Sequence, residues 1–267
     1  MSEASSGSVY RLVQFTDPHI GGRPDYQLLG LDTGYTLGQV LEAIARDQSS
    51  ADLLVATGDI TANGSDAAYH RFLQQMQSVT KPWYWLPGNH DRSALMQQLA
   101  PGHCTDAIEL GNWRLLLLDT SVENQICGGL NDDQLDRLQM QLHECGDHPV
   151  MILMHHQPVP VGSDWIDGHM LRRGAPRLLS MVTEAANVRA LVWGHVHQQF
   201  DSRLEHCGLH ATPSTSIQFT PGSGPFAVDD CMPGYRWFEL SADGSYRTGV
   251  ERVTIAEYDV DLDSDGY

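Results

Sequence analysis

The chain has 267 residues, of which 41% are hydrophobic, and it carries a formal net charge of −18 at pH 7. This length allows one large α/β domain or two small ones. The acidic charge argues against general binding to nucleic acid or to an anionic membrane, and no apolar stretch is long enough to predict a transmembrane helix. The polar N-terminal residues do not resemble a signal peptide, so we expect a cytoplasmic protein.

Strands and helices are predicted to alternate along most of the chain. Apolar runs that end at turn residues predict strands at 10–15, 52–57, 83–86, 150–154 and 190–193. Apolar residues at spacings of three and four predict helices at 36–47, 66–78, 131–144 and 176–186, with a shorter helix at 93–99. A hairpin is expected at 108–118, and strands dominate from Phe200 onward.

This order of elements predicts a mixed sheet with helices outside it, folded as one domain over residues 1–256. The acidic segment 257–267 is predicted to be disordered. The cysteines are odd in number, widely spaced and without a Cys-x-x-Cys pair, which predicts reduced packing thiols. They are Cys104, Cys127, Cys145, Cys207 and Cys231.

Five of the predicted strands end in a short polar cluster. In chain order the clusters are Asp17-x-His19, Gly58-Asp59, Gly88-Asn89-His90-Asp91, His155-His156 and Gly194-His195-x-His197. Each cluster alone is compatible with an ordinary turn, because Asn and Asp are common in turns. Loops beyond the carboxyl ends of neighbouring parallel strands converge on one crevice, so five such clusters favour a shared site.

The residue types in these clusters indicate a site for two metal ions. Carboxylate and imidazole ligands suit manganese, iron, zinc or cobalt, whereas structural zinc sites usually contain cysteine. A carboxylate such as Asp59 can bridge two ions, and so can a hydroxide, because a metal ion lowers the pKa of its water from 15.7 to about 7. Glycine before a cluster would let the backbone turn tightly beside the ions.

In this order the five clusters resemble the signature of the calcineurin-like metallophosphoesterases, from about residue 10 to residue 197. The resemblance implies an α/β fold, a four-layer α/β/β/α sandwich. It also implies two metal ions, with iron and manganese expected first and zinc, cobalt or magnesium as alternatives. The implied ligands are Asp17, His19, Asp59 and His197 for one ion, and Asp59, Asn89, His156 and His195 for the other.

The resemblance also assigns roles close to the reacting phosphate. His90 would be a catalytic residue beside the scissile bond, Asn89 would share in catalysis, and Asp91 would orient His90. The implied substrate-binding residues are His19, Asn89, His90 and His197. The family's His-x-Pro pattern selects His156 as the metal ligand, and its neighbour His155 stays an alternative.

A narrower resemblance extends over most of the chain, to the bacterial class III 3′,5′-cyclic AMP phosphodiesterases. It rests on residues 28–30 with 40–44, on 155–160 with Asp164-Trp165, and on 211–219. It implies hydrolysis of cyclic AMP to 5′-AMP by a metal-bridging hydroxide, in a monomer or homodimer that lowers second-messenger levels. The alternatives are a metallophosphoesterase for 2′,3′-cyclic nucleotides, other phosphodiesters or phosphomonoesters, and a non-catalytic scaffold that keeps the fold.

Overall fold

The computed structural model describes residues 8–256 and 258–266, which form two large β-sheets enclosed by helices. The strands are β1 (Val9–Phe15), β2 (Leu53–Thr57), β3 (Trp83–Leu86), β4 (Ala107–Leu110), β5 (Trp113–Leu117), β6 (Val150–Leu153), β7 (Val188–Trp193), β8 (Phe200–Leu204), β9 (Cys207–Ala211), β10 (Gln218–Phe219), β11 (Val228–Asp229), β12 (Gly234–Ser241) and β13 (Tyr246–Arg252). The helices are α1 (Thr33–Asp47), α2 (Asp66–Met76), α3 (Ser93–Leu99), α4 (Asp132–Glu144), α5 (Asp164–Asp167) and α6 (Ala175–Glu184).

Parallel strands form one side of the first sheet and the middle of the second. The first sheet has the order β13-β12-β1-β2-β3, in which β1, β2 and β3 are parallel, with Leu12 paired to Leu53. The second has the order β4-β5-β6-β7-β9-β8, in which β5, β6, β7 and β9 are parallel and both edge strands are antiparallel to their neighbours. Each sheet therefore collects the loops that follow its parallel strands along one edge.

Three buried apolar clusters separate the layers. The cluster between the two sheets contains side chains from both, such as Val55 of β2 and Leu153 of β6. Helices α1 and α2 cover the outer face of the first sheet, and α4 and α6 cover that of the second. The prediction of an α/β/β/α sandwich is therefore confirmed.

Side-chain caps decide where two of the helices begin. Helix α1 starts three residues before the predicted position, because the Asp32 carboxylate accepts a hydrogen bond of 3.0 Å from the Tyr35 backbone N–H. Helix α4 starts after Asn131, whose side chain forms a capping box with Gln134. The four-residue helix α5 was not predicted, since one turn is too short to show an apolar period.

The described part of the acidic C-terminal segment packs against the body of the protein, in contrast to the predicted disorder. Tyr258 and Val260 contact the core on the outer face of the second sheet, and the Asp261 N–H donates to the Leu29 carbonyl at 2.9 Å. The acidic composition did not predict this packing, because the apolar residues that make the contacts alternate with acidic ones. Glu257 and Tyr267, like residues 1–7 of the predicted domain, lie outside the described residues.

All five cysteines are free thiols in the structure, and Cys231 is exposed. Cys145 and Cys207 are buried in the core on the outer face of the second sheet. Within 8–256 and 258–266, no helix is both long and apolar enough to span a membrane.

Candidate metal centre

The loops after five parallel strands meet and bring the predicted side chains together. Asp17 and His19 follow β1, Asp59 follows β2, and Asn89 and His90 follow β3. From the second sheet, His155 and His156 follow β6, and His195 and His197 follow β7. Both aspartates and all of these histidines except His90 are buried. The convergence expected for the carboxyl ends of parallel strands is therefore present across both sheets.

One group of potential ligand atoms lies nearer β1. The ligand atoms of Asp17, His19 and His197 all lie within 4.8 Å of one another. The two imidazole Nε2 atoms of His19 and His197 are 3.2 Å apart, and His197 Nε2 is 3.3 Å from Asp17 Oδ1. The Nδ1 atom of His197 lies 2.8 Å from the Ile217 carbonyl, to which it can donate its proton. The Nε2 lone pair of His197 then points at the other two side chains.

A second group lies nearer β6. His155 Nε2 is 3.2 Å from Asn89 Oδ1 and 3.3 Å from Asp59 Oδ2, while its Nδ1 is 2.8 Å from the Thr57 carbonyl. When Nδ1 donates to that carbonyl, the Nε2 lone pair faces two oxygen atoms, an arrangement that a bound cation would stabilise. His195 Nε2 is buried and has no hydrogen-bond partner among the described residues.

The Asp59 carboxylate lies between the two groups. Its Oδ2 is 3.7 Å from His19 Nε2 and 3.3 Å from His155 Nε2, and its Oδ1 accepts from the His90 backbone N–H at 2.9 Å. One carboxylate oxygen therefore faces both groups, which is the position required of a bridging ligand. The bridging role of Asp59 that the sequence suggested stays a prediction.

The charge states of the buried groups suit cation binding. Burial, and secondarily neighbouring histidines, hold the pKa of His19 and of His195 well below the ordinary value. Burial alone would raise the pKa of Asp59, but His155 and His90 hold it well below its usual range. Burial alone would lower the pKa of His155, but Asp59 and Asp17 raise it to about 9. A metal ion binds neutral imidazole and ionised carboxylate, so His19, His195 and Asp59 are already in the binding form, whereas His155 would have to lose a proton.

The backbone around this cluster is unusual. Asp17, His19, Asp59, His195 and His197 all have φ between 46° and 65°, the left-handed region that side chains with a Cβ rarely occupy. Hydrogen bonds such as Asp17 N–H to the Gly58 carbonyl at 3.0 Å and His195 N–H to Asp17 Oδ2 at 3.1 Å hold these turns. Such conformations concentrate at functional sites because they aim side chains inward from successive residues.

Two glycines are required for the close approach of these loops. A Cβ at Gly88 would collide with the Asp59 carboxylate, and one at Gly194 would collide with Thr16 and the Asp17 carboxylate. These clashes explain physically why glycine precedes the clusters, as the sequence suggested.

Of the two neighbouring histidines after β6, His155 lies beside Asp59 and Asn89, whereas His156, the ligand expected from the His-x-Pro pattern, has other contacts besides its closeness to His155 and His195. His156 Nδ1 lies 2.8 Å from Thr120 Oγ1 and its Nε2 lies 3.0 Å from the Ile126 carbonyl, so both ring nitrogens have protein partners. Burial and the neighbouring His155 lower the pKa of His156 to about 3. A neutral His156 that joins the strand end to the 120–126 loop accounts for these contacts.

The surroundings of His90 also differ in part from expectation. Its ring Nδ1 lies 2.8 Å from the Ala62 carbonyl, so this carbonyl orients the ring. The Asp91 carboxylate instead accepts from the backbone N–H groups of Ile60, Thr61 and Gly88, at 2.9 to 3.1 Å. Asp91 therefore fixes the turn that carries His90 by joining the loops after β2 and β3.

A loop near the C-terminal end of the chain supports the cluster, and motif reasoning did not assign it a role. The hydroxyls of Ser214 and Ser216 both donate to the Asp17 carbonyl, at 2.8 and 2.9 Å. Phe219 stacks on the His197 ring, with ring centroids 4.3 Å apart. Tyr258 in turn donates to the Ser216 carbonyl at 3.1 Å. The sequence feature that pointed to this loop is the 211–219 stretch, which is part of the narrower family resemblance.

A cavity of about 240 Å³ opens beside the cluster. Its lining includes the cluster side chains Asp59, Asn89, His90 and His195. It also includes the apolar side chains of Ile126, Trp165 and Phe219, which we call its apolar end. The cluster of ligand atoms is therefore accessible to a small molecule.

The chain belongs to the calcineurin-like phosphoesterase family, because the model of that family matches residues 10–199. A family of this kind, with the donor atoms described above, implies a dinuclear metal centre. Among solved structures, a dimetal phosphatase from Danio rerio shares the fold with a TM-score of 0.64, at 16% identity, covering 92% of this chain and 99% of that one.

Curated relatives are similar over nearly the whole chain. A protein of Pseudomonas aeruginosa named 3′,5′-cyclic adenosine monophosphate phosphodiesterase CpdA is 40% identical over 258 residues, which cover 96% of this chain and 94% of that protein. The protein of the same name from Escherichia coli K12 is 38% identical, with 96% and 94% covered. These similarities extend well beyond the part of the chain that the family model matches.

Proposed function

We propose that this protein is a metal-dependent phosphodiesterase that hydrolyses 3′,5′-cyclic AMP to 5′-AMP and thereby lowers the level of a second messenger. The observation that carries this proposal is the convergence of buried ligand atoms in two groups, one of Asp17, His19 and His197 and one of His155, His156 and His195. The relatives named cyclic AMP phosphodiesterases, similar over 96% of this chain, support the substrate.

The donor atoms described above fit two metal ions. The first ion would be held by Asp17, His19, Asp59 and His197, and the second by Asp59, Asn89, His155 and His195. The choice of His155 is supported by its Nε2 atom, which is 3.3 Å from the shared Asp59 carboxylate. Mixed imidazole and carboxylate donors without sulfur suit iron and manganese, with zinc, cobalt or magnesium as alternatives.

When bound, the two ions would offset the charge of the phosphoryl oxygens and lower the pKa of a water molecule close to them. The Asn89 side-chain amide carries N–H donors that could bind a phosphoryl oxygen while its Oδ1 faces the metal site. His19 and His197 lie at the same edge of the centre and would contact the substrate there. These side chains would hold the phosphate in place for attack.

His90 would donate the proton that the leaving group needs. In hydrolysis the oxygen of water forms a bond to phosphorus, and the bond from phosphorus to the 3′ oxygen breaks. The 3′ oxygen then takes a proton, and the product is 5′-AMP. His90 lines the cavity beside Asn89, and its Nδ1 lies 2.8 Å from the Ala62 carbonyl, so we assign the proton transfer to its Nε2.

The test is turnover of 3′,5′-cyclic AMP by metal-stripped protein to which manganese or iron is restored, beside 2′,3′-cyclic AMP and an aryl phosphodiester. The expected result is metal-dependent cleavage with a clear preference for the 3′,5′ ring. Equal or better cleavage of the other esters would refute the signalling assignment and leave the broader metallophosphoesterase function. Two bound ions without turnover of any of these esters would contradict a phosphodiesterase.

A further inference from the structure

The cavity beside the metal centre has an apolar end that the cleavage chemistry does not use. This end is lined by Ile126, Trp165 and Phe219, and the Ile126 side chain leaves 56% of the residue exposed at its rim. Trp165 packs edge-on to Phe219 and to Phe226, with ring centroids 5.1 and 4.8 Å apart. Together these side chains make an aromatic and aliphatic wall directly beside the phosphate-binding side chains.

Side chains that follow the two histidine clusters hold this wall in place. Gln157, next to His156, donates to the Ile166 carbonyl at 3.0 Å, and Gln198, next to His197, donates to Ser163 Oγ at 3.1 Å. Both contacts anchor helix α5, which carries Trp165. The wall is therefore fixed relative to the metal centre and does not depend on a free loop.

The part of this wall that contains Ile126 is fixed in the same way. His156 Nε2 bonds to the Ile126 carbonyl at 3.0 Å and thereby ties the 124–126 loop to the end of β6. The side chains of Asn124 and Gln125 line the same cavity. These amides are uncharged and can both donate and accept hydrogen bonds. Apolar walls with neutral amides at the rim suit a flat, uncharged, heteroaromatic ligand.

We propose that this end of the cavity is the subsite for the purine base of a cyclic nucleotide, with Trp165 and Ile126 in contact with the base. This assignment rests on the proposed function and adds the residues that select the substrate. A stacked base and a phosphate at the metal centre would be held by the two ends of one cavity. Because every base has a flat π-face, the aromatic wall would supply affinity, and the amides would distinguish one base from another.

The test compares cyclic AMP with an abasic substrate, methyl ribofuranoside 3′,5′-cyclic phosphate, which has the same reacting ring and no base. The measured quantity is the ratio of kcat/KM for cyclic AMP to kcat/KM for the abasic substrate, with the metal-loaded enzyme. The ratio should fall about tenfold in Ile126→Ala and in Trp165→Leu, since loss of a stacking contact weakens base binding by roughly this factor or more. The Kd for 5′-AMP should rise by a similar factor.

The matched control is Met140→Ala on α4, because Met140 is also apolar and 59% exposed but does not line the cavity. This variant should keep the wild-type ratio. Equal losses on both substrates in Ile126→Ala, with an unchanged ratio, would overturn the base subsite while the phosphodiesterase function stands. If Trp165→Leu disturbs the packing of the protein, the result of Ile126→Ala is used instead, because Ile126 is exposed. A wild-type enzyme that cleaves only the abasic substrate would overturn both proposals.

Discussion

Two clusters in this molecule contain a buried histidine beside an aspartate, and they differ in how their polar atoms are paired. In the metal centre, imidazole nitrogens face one another and face carboxylate oxygens. At the edge of the second sheet, His210 Nδ1 lies 2.7 Å from Asp201 Oδ1 and its Nε2 lies 2.7 Å from the Tyr246 hydroxyl. Arg236 adds an ion pair of 2.9 Å to Asp201. A neutral His210 can thus donate to Asp201 and accept from Tyr246.

The backbone conformation also distinguishes the two clusters. Asp201 and His210 lie in regular antiparallel strands, paired with each other in the register of β8 and β9. Both aspartates of the metal centre and its histidines His19, His195 and His197 instead come from turns with positive φ. When the polar atoms of a cluster on regular strands all have hydrogen-bond partners in the protein, the cluster stabilises the fold. When lone pairs on strained turns point at one another, a bound cation is needed to stabilise them. The difference lies in pairing and backbone geometry, since the residue types are the same.

The strongest test of this contrast is loss of the shared carboxylate. Asp59→Ala should remove bound metal and lower kcat/KM by about 10³-fold or more, because one carboxylate faces both groups of ligand atoms. Metal content would be measured by elemental analysis beside activity. Asp201→Asn is the control, an aspartate on β8 that also contacts a histidine but lies outside the metal centre, and it should retain both ions. Two ions per chain in Asp59→Ala would rule out the bridging position.

The proton-donor role predicts a loss of turnover with the metal retained. His90→Ala should lower kcat for cyclic AMP by about 10²–10⁴-fold, as expected for general acid catalysis. For an aryl phosphodiester the loss should be much smaller, since an aryl oxide leaves without a proton. The two substrates would be compared on the same metal-loaded preparation. An equal loss on both would assign His90 to positioning instead of proton transfer.

The two neighbouring histidines after β6 offer an internal comparison. His155→Ala should lose metal, whereas His156→Ala should retain it and lose about 10- to 100-fold in activity, because His156 only joins the strand end to the 120–126 loop. Elemental analysis of both variants at equal protein concentration would decide. Retained metal in His155→Ala together with metal loss in His156→Ala would restore the original assignment from the His-x-Pro pattern.

The smallest expected effect concerns stability and its dependence on pH. Burial opposes ionisation, but the His210 hydrogen bond and Arg236 hold the pKa of Asp201 well below its usual range. A lowered folded pKa stabilises the protein above the unfolded pKa of about 3.9, and this contribution is lost as pH falls through the folded value. Asp201→Asn should therefore cost about 1 kcal/mol at pH 7, since the carboxylate is partly exposed and screened.

Urea unfolding of wild type and Asp201→Asn, measured at several pH values, would check this prediction. The difference in unfolding free energy should shrink below about pH 4. A difference that stays constant down to pH 3 would mean that the hydrogen bonds matter and the charge does not.

Local sequence patterns predicted most of the helices and strands. They could not predict features that depend on contacts between distant residues, such as the number of sheets. The period of Leu37, Val40, Leu41 and Ile44 located α1, and all four side chains are buried. The cap at Asp32 moved its start. The division into two sheets came from the family resemblance, because an alternating series of strands and helices is equally compatible with one sheet.

The candidate site was predictable as a set of residues and less so as a geometry. Polar clusters at five strand ends identified the converging side chains. The choice between His155 and His156 depends on the Thr57 carbonyl, almost a hundred residues away in sequence, so no local pattern could make it. The Ile126 and Trp165 end of the cavity was missed for the same reason, since single apolar residues in loops carry no periodic signal.

The left-handed turns around the centre have a consequence for evolution and engineering. Each such residue costs on the order of 1 kcal/mol, and glycine would relieve that cost at Asp17, His19, Asp59, His195 or His197. Selection for heat resistance alone would therefore tend to erode the centre while the sandwich around it grew more robust. A thermostability screen of this protein should score turnover in every round, so that mutations which relax these turns are discarded.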